Sequence, residues 1–176
     1  MPLPRDAKPN VPGVQTVKRT NRFMYALQIG IFAGLIFGAI RWICYYFRFT
    51  GVIPGFLVEP FFLRSFLAGN GGHVVGTAAF IVLSVAASLL YAPIASKLRG
   101  PWPGALYGAL WFCVLYLWIG PMLGMLLPLG KLSWDSFWTD GSIFVMWGVF
   151  IGYSISYEFT NERRRDKQMP LPSMKH

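Results

Sequence analysis

Four charged residues near the end of the first long apolar run carry the side chains best suited to chemistry in this chain. Arg41 lies within that run, and Arg48, Glu59 and Arg64 follow in the segment after it. Arginine and carboxylate groups can neutralise each other at a dry interface or line a polar vestibule. Because Glu59 is the only acid in the segment, it is the natural partner of the three arginines. We predict an Arg41–Glu59 pair that holds the segment on the rest of the protein.

Arg41 admits two interpretations that differ in its surroundings. A helix starting at Phe23 places Arg41 about 27 Å along its axis, at 1.5 Å per residue. This depth, with Trp42, Tyr45 and Tyr46 beside it, favours an arginine at the outer membrane interface. The alternative is a buried polar site within the protein.

Other reactive residue types form no recognisable constellation. The sequence holds two cysteines and two histidines, and their spacing fits no metal site. No nucleotide-binding or other cofactor motif occurs. His73 and Glu59 could serve as acid and base in a lipid-modifying enzyme, but both also have simple structural explanations. We therefore predict no catalytic residues, no cofactor and no metal.

The composition indicates a membrane protein, because 55% of its 176 residues are hydrophobic and only 13% are charged. The apolar residues fall in four runs, each close to the roughly 20 residues that cross a bilayer. We predict an all-α fold, a four-helix transmembrane bundle. Its predicted parts are a disordered cytoplasmic tail 1–21, a membrane domain 22–160 with spans 23–47, 73–95, 104–127 and 142–159, and a basic cytoplasmic tail 161–176.

Small residues recur every four positions in all four runs. Residues spaced by four share one face of a helix, and small side chains allow two helices to approach closely. We predict that these glycines pack helices against each other. They are Gly30, Gly34, Gly38, Gly104, Gly108, Gly120, Gly124, Gly148 and Gly152.

The segment between the first two spans is apolar for a loop. Pro60 and Gly69 bracket a short amphipathic helix, with proline near its start and glycine just past its end. We predict that this helix lies on the outer surface of the membrane.

Basic residues are distributed unevenly along the chain. Five lie in each tail and two in the middle loop, against three in the other two loops. The positive-inside rule therefore predicts that both termini are cytoplasmic. The basic tails lack aromatic residues for base stacking, so a lipid surface is a better partner than nucleic acid.

Several short motifs resemble one family. They are Cys44-Tyr-Tyr-Phe-Arg-Phe-Thr, Pro60-Phe, Trp102-Pro-Gly with Leu106-Tyr-Gly, and Gly152-Tyr-Ser-Ile-Ser-Tyr-Glu. In this order and spacing the chain is similar to the YqhR-type small membrane proteins of spore-forming Bacillota. The resemblance implies a four-helix protein of a bacterial cytoplasmic membrane and supplies no catalytic residues.

These observations favour a non-enzymatic accessory, scaffold or assembly component that contacts a membrane-protein partner or a second copy of the chain. The alternative is a small oligomeric transporter or channel, with Arg41, Arg48 and Glu59 around an outer vestibule. The lipid-modifying enzyme is the third hypothesis.

Overall fold

The computed structural model describes residues 21–95, 100–126 and 132–168, and the side chains of 94, 95 and 159–168 are outside the description. The predicted disordered tail, except its last residue, and residues 169–176 of the basic tail also lie outside the described residues. The described helices are α1 (Arg22–Tyr46), α2 (Arg64–Leu67), α3 (Asn70–Ala95), α4 (Trp102–Met122) and α5 (Trp134–Gln168), with a short 3-10 turn at Phe56–Val58.

The long helices confirm the all-α prediction for the described residues. Three of them, α1, the Asn70–Pro93 part of α3, and α4, are long and apolar enough to cross a membrane. The fourth long helix, α5, begins at Trp134, whereas the sequence predicted a span starting at residue 142. The added turns at its start carry Ser136 and Asp140, both buried.

The glycine face of α1 packs against α3. A Cβ atom added at Gly34 would lie 2.5 Å from the Cα of Ile81, and one at Gly38 would lie 3.0 Å from Thr77. Ser88 then donates a 2.7 Å hydrogen bond to the carbonyl oxygen of Ala26. The close approach of the two backbones therefore depends on the absence of side chains on α1.

A second glycine contact joins α4 to α5. A Cβ at Gly104 would lie 2.7 Å from the carbonyl oxygen of Gly148, and one at Gly152 would lie 2.5 Å from the Cα of Gly104. Gly108 faces the same stretch of α5. Here both helices contribute small residues, so their main chains are in direct contact.

Gly120 and Gly124 have a different setting from the other glycines. The segment Val114–Ile119 is a π-helix, and Gly120 donates its N–H to the carbonyl of Leu115, five residues earlier. Gly124 has a φ of +70°, and a Cβ added there would meet no atom of the described residues within 4 Å, so it serves the turn that ends α4. Neither glycine lies on a contact between two long helices.

Aromatic and polar side chains join the two helix pairs. Trp147 of α5 is fully buried and donates its indole N–H to Ser84 of α3 at 3.0 Å. Tyr107 of α4 donates to the carbonyl of Ala87 at 2.8 Å. These bonds replace water partners that an apolar interior lacks.

The segment between α1 and α3 folds onto one end of the bundle. Its buried part includes Val52, Ile53 and Phe56, and Gly55 lies against the backbone of Gly76. The predicted amphipathic helix is reduced to the four residues of α2, of which only Leu67 is buried. Pro60 lies in a turn and does not start a helix.

Candidate functional site

Arg41 lies inside the bundle and not at its surface. Its side chain is only 2% exposed. The residue sits one turn beyond Gly38, on the inward side of α1 that also carries Gly34. The structure therefore corresponds to the alternative interpretation of Arg41, a buried polar site.

The counter-charge of Arg41 is Asp140, which lies in the second turn of α5 and is 0% exposed. One terminal nitrogen of the guanidinium, Nη1, lies 3.0 Å from Asp140 Oδ1. Burying one of these charges without the other would be costly, so each stabilises the other in place.

Tyr116 and three aromatic rings enclose the guanidinium. Both Nη1 and Nη2 of Arg41 donate to the Tyr116 hydroxyl oxygen at 3.2 Å. The guanidinium carbon lies 4.7 Å from the ring centre of Phe56, 5.7 Å from Phe144 and 5.9 Å from Phe80. Aromatic faces attract cations most strongly where water is excluded. The rings therefore stabilise the positive charge and keep water from it.

The segment after α1 completes this arrangement. Thr50 donates a 2.8 Å hydrogen bond to Asp140 Oδ2 and accepts one from the N–H of Val52. Next to it, the N–H of Gly51 donates to the Ser136 hydroxyl at 2.8 Å. The start of α5 is thus tied to the segment by two hydrogen bonds. We call Arg41, Thr50, Tyr116 and Asp140 the buried polar cluster.

Glu59 is paired with Arg64 and not with Arg41. Nε of Arg64 lies 3.7 Å from Glu59 Oε1, with the two side chains 62% and 15% exposed. Partial burial raises the pKa of Glu59 above its ordinary value, and the charge of Arg64 opposes that shift. An ion pair at this distance with one partner largely in solvent contributes little to stability. The predicted Arg41–Glu59 pair is therefore wrong.

Arg48 ends α1 in an unusual backbone conformation. Its φ is +61°, the one positive φ among non-glycine residues in the described chain. The N–H of Phe49 donates to the carbonyl of Cys44, and that of Arg48 to Tyr45. This is a Schellman motif, in which glycine is the usual residue at the position of Arg48. The Arg48 side chain is exposed.

The four residues of the predicted polar site are therefore divided among three places. Arg41 is in the buried polar cluster. Arg48 and His73 line one cleft at the end of the bundle, and Glu59 and Arg64 line another. The structure does not bring Arg41, Arg48 and Glu59 together in one vestibule of the chain, nor His73 and Glu59 in one cleft.

Sequence reasoning missed Asp140 and Tyr116. Asp140 lies just before the fourth span predicted from the sequence, which starts at residue 142, but a helical signal is present. The spacing of Ser136 and Asp140 continues that of Phe144, Trp147 and Ile151 along one face. Tyr116 lies in an aromatic-rich run and has no distinguishing spacing.

The buried polar cluster is suited to a structural role, in which it holds the helices together. Its two charges neutralise each other, and Thr50 and Tyr116 supply hydrogen bonds to them. It connects α1, α4, α5 and the segment after α1. Removing any one charge would leave the other in an apolar interior.

Comparison with known proteins agrees with this membrane architecture. The model of the family described as conserved membrane protein YqhR matches residues 9–170. The protein printed as "Uncharacterized protein YqhR" of Bacillus subtilis (strain 168) is 29% identical over 138 residues, covering 78% of this chain and 77% of that protein. No solved structure matches the chain. The resemblance seen in the short motifs is confirmed, and the chain belongs to the YqhR family of conserved membrane proteins.

Proposed function

We propose that the chain is a four-span protein of a bacterial cytoplasmic membrane, with α5 as its fourth span. Two observations support the fourth span. The backbone of α5 is in direct contact with that of α4 at Gly104 and Gly148, and its buried face runs from Ser136 to Ser156. A helix so closely packed on a candidate span would share its membrane environment.

We also propose that both termini are cytoplasmic. The support is the excess of basic residues in the tails and the middle loop. Fusion of a periplasm-dependent reporter to each terminus and to the segment after α1 tests this topology. Reporter activity from either terminal fusion would contradict it.

For activity, the proposal is a non-enzymatic accessory or scaffold component. The observation that carries it is that the charges of the buried polar cluster are shielded from solvent and paired with each other. Arg41 and Asp140 are 2% and 0% exposed and are neutralised within the chain. Paired buried charges fix the relative positions of helices, which a scaffold needs in order to bind a partner. They leave no charged group exposed to a substrate.

The partner surface in this proposal is the segment around α2. Phe61 and Leu63 are 80% and 79% exposed there, next to residues packed on the bundle. Large apolar side chains at one end of a membrane protein suit contact with another protein or with lipid.

A photo-crosslinking residue at position 61 tests this surface in cells. Trp102, 79% exposed and at the other end of the bundle, is the matched control position. The proposal expects a discrete protein adduct from position 61 that is absent from position 102. No protein adduct at 61, together with a monomer in mild detergent, would refute it.

A second candidate is a small transporter or channel, favoured by the presence of an ionisable pair within the spans. Such pairs mark ion or solute pathways in many transporters. Flux of an ion or solute into reconstituted vesicles, lost on changing Arg41→Met in protein that still folds, would favour this function over the scaffold.

A further inference from the structure

A cleft of about 490 Å³ lies where α1 ends and α3 begins, and it shares Thr50 with the buried polar cluster. Its walls come from the last turn of α1, the turn that follows and the first turns of α3. Arg48 and His73 are the basic residues in its lining. We call it the Arg48–His73 cleft.

His73 lines the cleft and carries a buried polar atom that is without a partner in the described part of the chain. The residue is only 6% exposed, and its Nδ1 has no hydrogen-bond partner among the described residues. Its ring packs against Trp42 at 5.5 Å and Tyr45 at 5.3 Å between ring centres. A buried nitrogen without a partner is costly, so a bound group that supplies one would be stabilised.

Arg48 supplies a positive charge to the lining of the cleft. Its backbone adopts the left-handed conformation, which costs free energy for a residue with a side chain. Glycine would satisfy the same Schellman motif without that strain. Strain of this kind is often found where a side chain serves binding, and here the side chain is an exposed guanidinium.

Two other polar groups of the lining are already engaged within the chain. Thr50 bonds to Asp140, and the N–H of Gly51 bonds to Ser136. The rest of the wall is aromatic, with Trp42, Tyr45 and Tyr46. Such side chains concentrate at the headgroup level of membranes. The cleft thus combines one cation and one imidazole with an aromatic rim that carries hydroxyl and indole N–H donors.

We propose that the Arg48–His73 cleft binds the phosphate group of an anionic membrane lipid. The guanidinium geometry matches two phosphate oxygens, the His73 nitrogen can bond to the phosphate or its glycerol, and the aromatic rim contacts the start of the acyl chains. The inference depends on the chain being a membrane protein and does not depend on the scaffold role.

Native mass spectrometry of the full chain, released from nanodiscs of equal phosphatidylglycerol and phosphatidylcholine, tests this site. Wild-type protein should retain phosphatidylglycerol in preference to phosphatidylcholine. Arg48→Gly should lower that retention about tenfold or more, because even one hydrogen bond to a charged group accounts for a factor of about ten. Because glycine suits the backbone at this position, the variant should fold, and its thermal midpoint verifies this.

Two further variants separate the site from general charge. Arg64→Gln removes the same formal charge from an exposed position and should change retention less than about twofold. His73→Phe keeps an aromatic ring against Trp42 and Tyr45 and should lower retention severalfold, because only the nitrogens are lost.

Three results would overturn the proposal. The first is equal retention by the wild-type protein and Arg48→Gly. The second is an equal loss in Arg48→Gly and Arg64→Gln, which would indicate diffuse attraction to the anionic surface. The third is stabilisation by inorganic phosphate alone that matches the effect of phosphatidylglycerol, which would assign the cleft to a soluble phosphate.

Discussion

Separating the charges of Arg41 and Asp140 should destabilise the protein more than any other single change of charge. The change Arg41→Met keeps an apolar side chain of similar length and leaves Asp140, 0% exposed, without its cation. An unpaired buried charge of this kind costs about 3–5 kcal/mol. Because whole proteins are stable by only about 5–15 kcal/mol, the variant should lose a large share of its folded population.

A double-mutant cycle tests the magnitude. Asp140→Asn removes the other charge and leaves Arg41 unpaired, so it should also be strongly destabilising. The combined variant has no buried charge and should be more stable than either single one, with a coupling free energy of about 2 kcal/mol or more. The measurement is the unfolding free energy in detergent, by denaturant titration followed by tryptophan fluorescence.

The exposed pair serves as the control for this cycle. Glu59→Gln with Arg64→Gln breaks an ion pair of 3.7 Å on the surface and should show coupling below about 1 kcal/mol. In addition, exchanging charges between Arg41 and Glu59 should recover no folded protein. Additive effects of Arg41→Met and Asp140→Asn, or recovery by that exchange, would refute the assigned partners.

Three other changes have defined outcomes. Gly108→Ala should lower the unfolding free energy by about 1–3 kcal/mol, because the new Cβ would overlap the backbone of α5. Gly51→Ala, where the nearest atom to a new Cβ is 3.6 Å away, should lower it far less. Similar losses in both variants would contradict the close helix contact. Arg48→Gly should raise the unfolding free energy by up to about 1 kcal/mol, since it relieves a φ of +61°, and a lowered value in the same denaturant titration would count against strain. Burial raises the pKa of Glu59, so its contribution to stability is present below about pH 4 and is lost as the pH rises through the raised value. The melting temperature should therefore fall over this pH range, less steeply in Glu59→Gln and more steeply in Arg64→Gln. An unchanged fall in Glu59→Gln would exclude Glu59 as its source.

The helix contacts were accessible from sequence because their cause is local spacing. Gly30, Gly34 and Gly38 repeat every four residues, and the structure places all three against α3. A regular helix converts such spacing directly into a face. The spacing does not specify which helix packs against this face, because that depends on the tertiary structure.

The position of Arg41 depends on its depth and on its face of the helix. The distance along α1 predicts the membrane interface, whereas the structure places Arg41 on the buried side of α1 with Gly34 and Gly38. Depth describes only the position along the helix axis, and the face determines whether a side chain meets lipid or protein. Since Gly34 contacts α3 closely, a residue on that side is directed into the bundle at any depth.

Asp140 could not be identified while the start of α5 was unknown. Aspartate before glycine is common in turns, and the span predicted from the sequence starts only at residue 142. The helix forms nevertheless, with Asp135 in its first turn, where a negative charge is favourable. The longer helix then brings Asp140 to the level of Arg41.

The buried polar cluster also explains why the segment after α1 is ordered against the bundle. Thr50 bonds to Asp140, and Phe56 covers the guanidinium of Arg41 at 4.7 Å. The same segment begins at Arg48, whose left-handed backbone turns the chain back towards α5. The same segment after α1 therefore contacts the charge pair, forms the turn and lines the Arg48–His73 cleft. A ligand that fixes Arg48 would stabilise the cluster, and loss of the cluster would release the wall of the cleft.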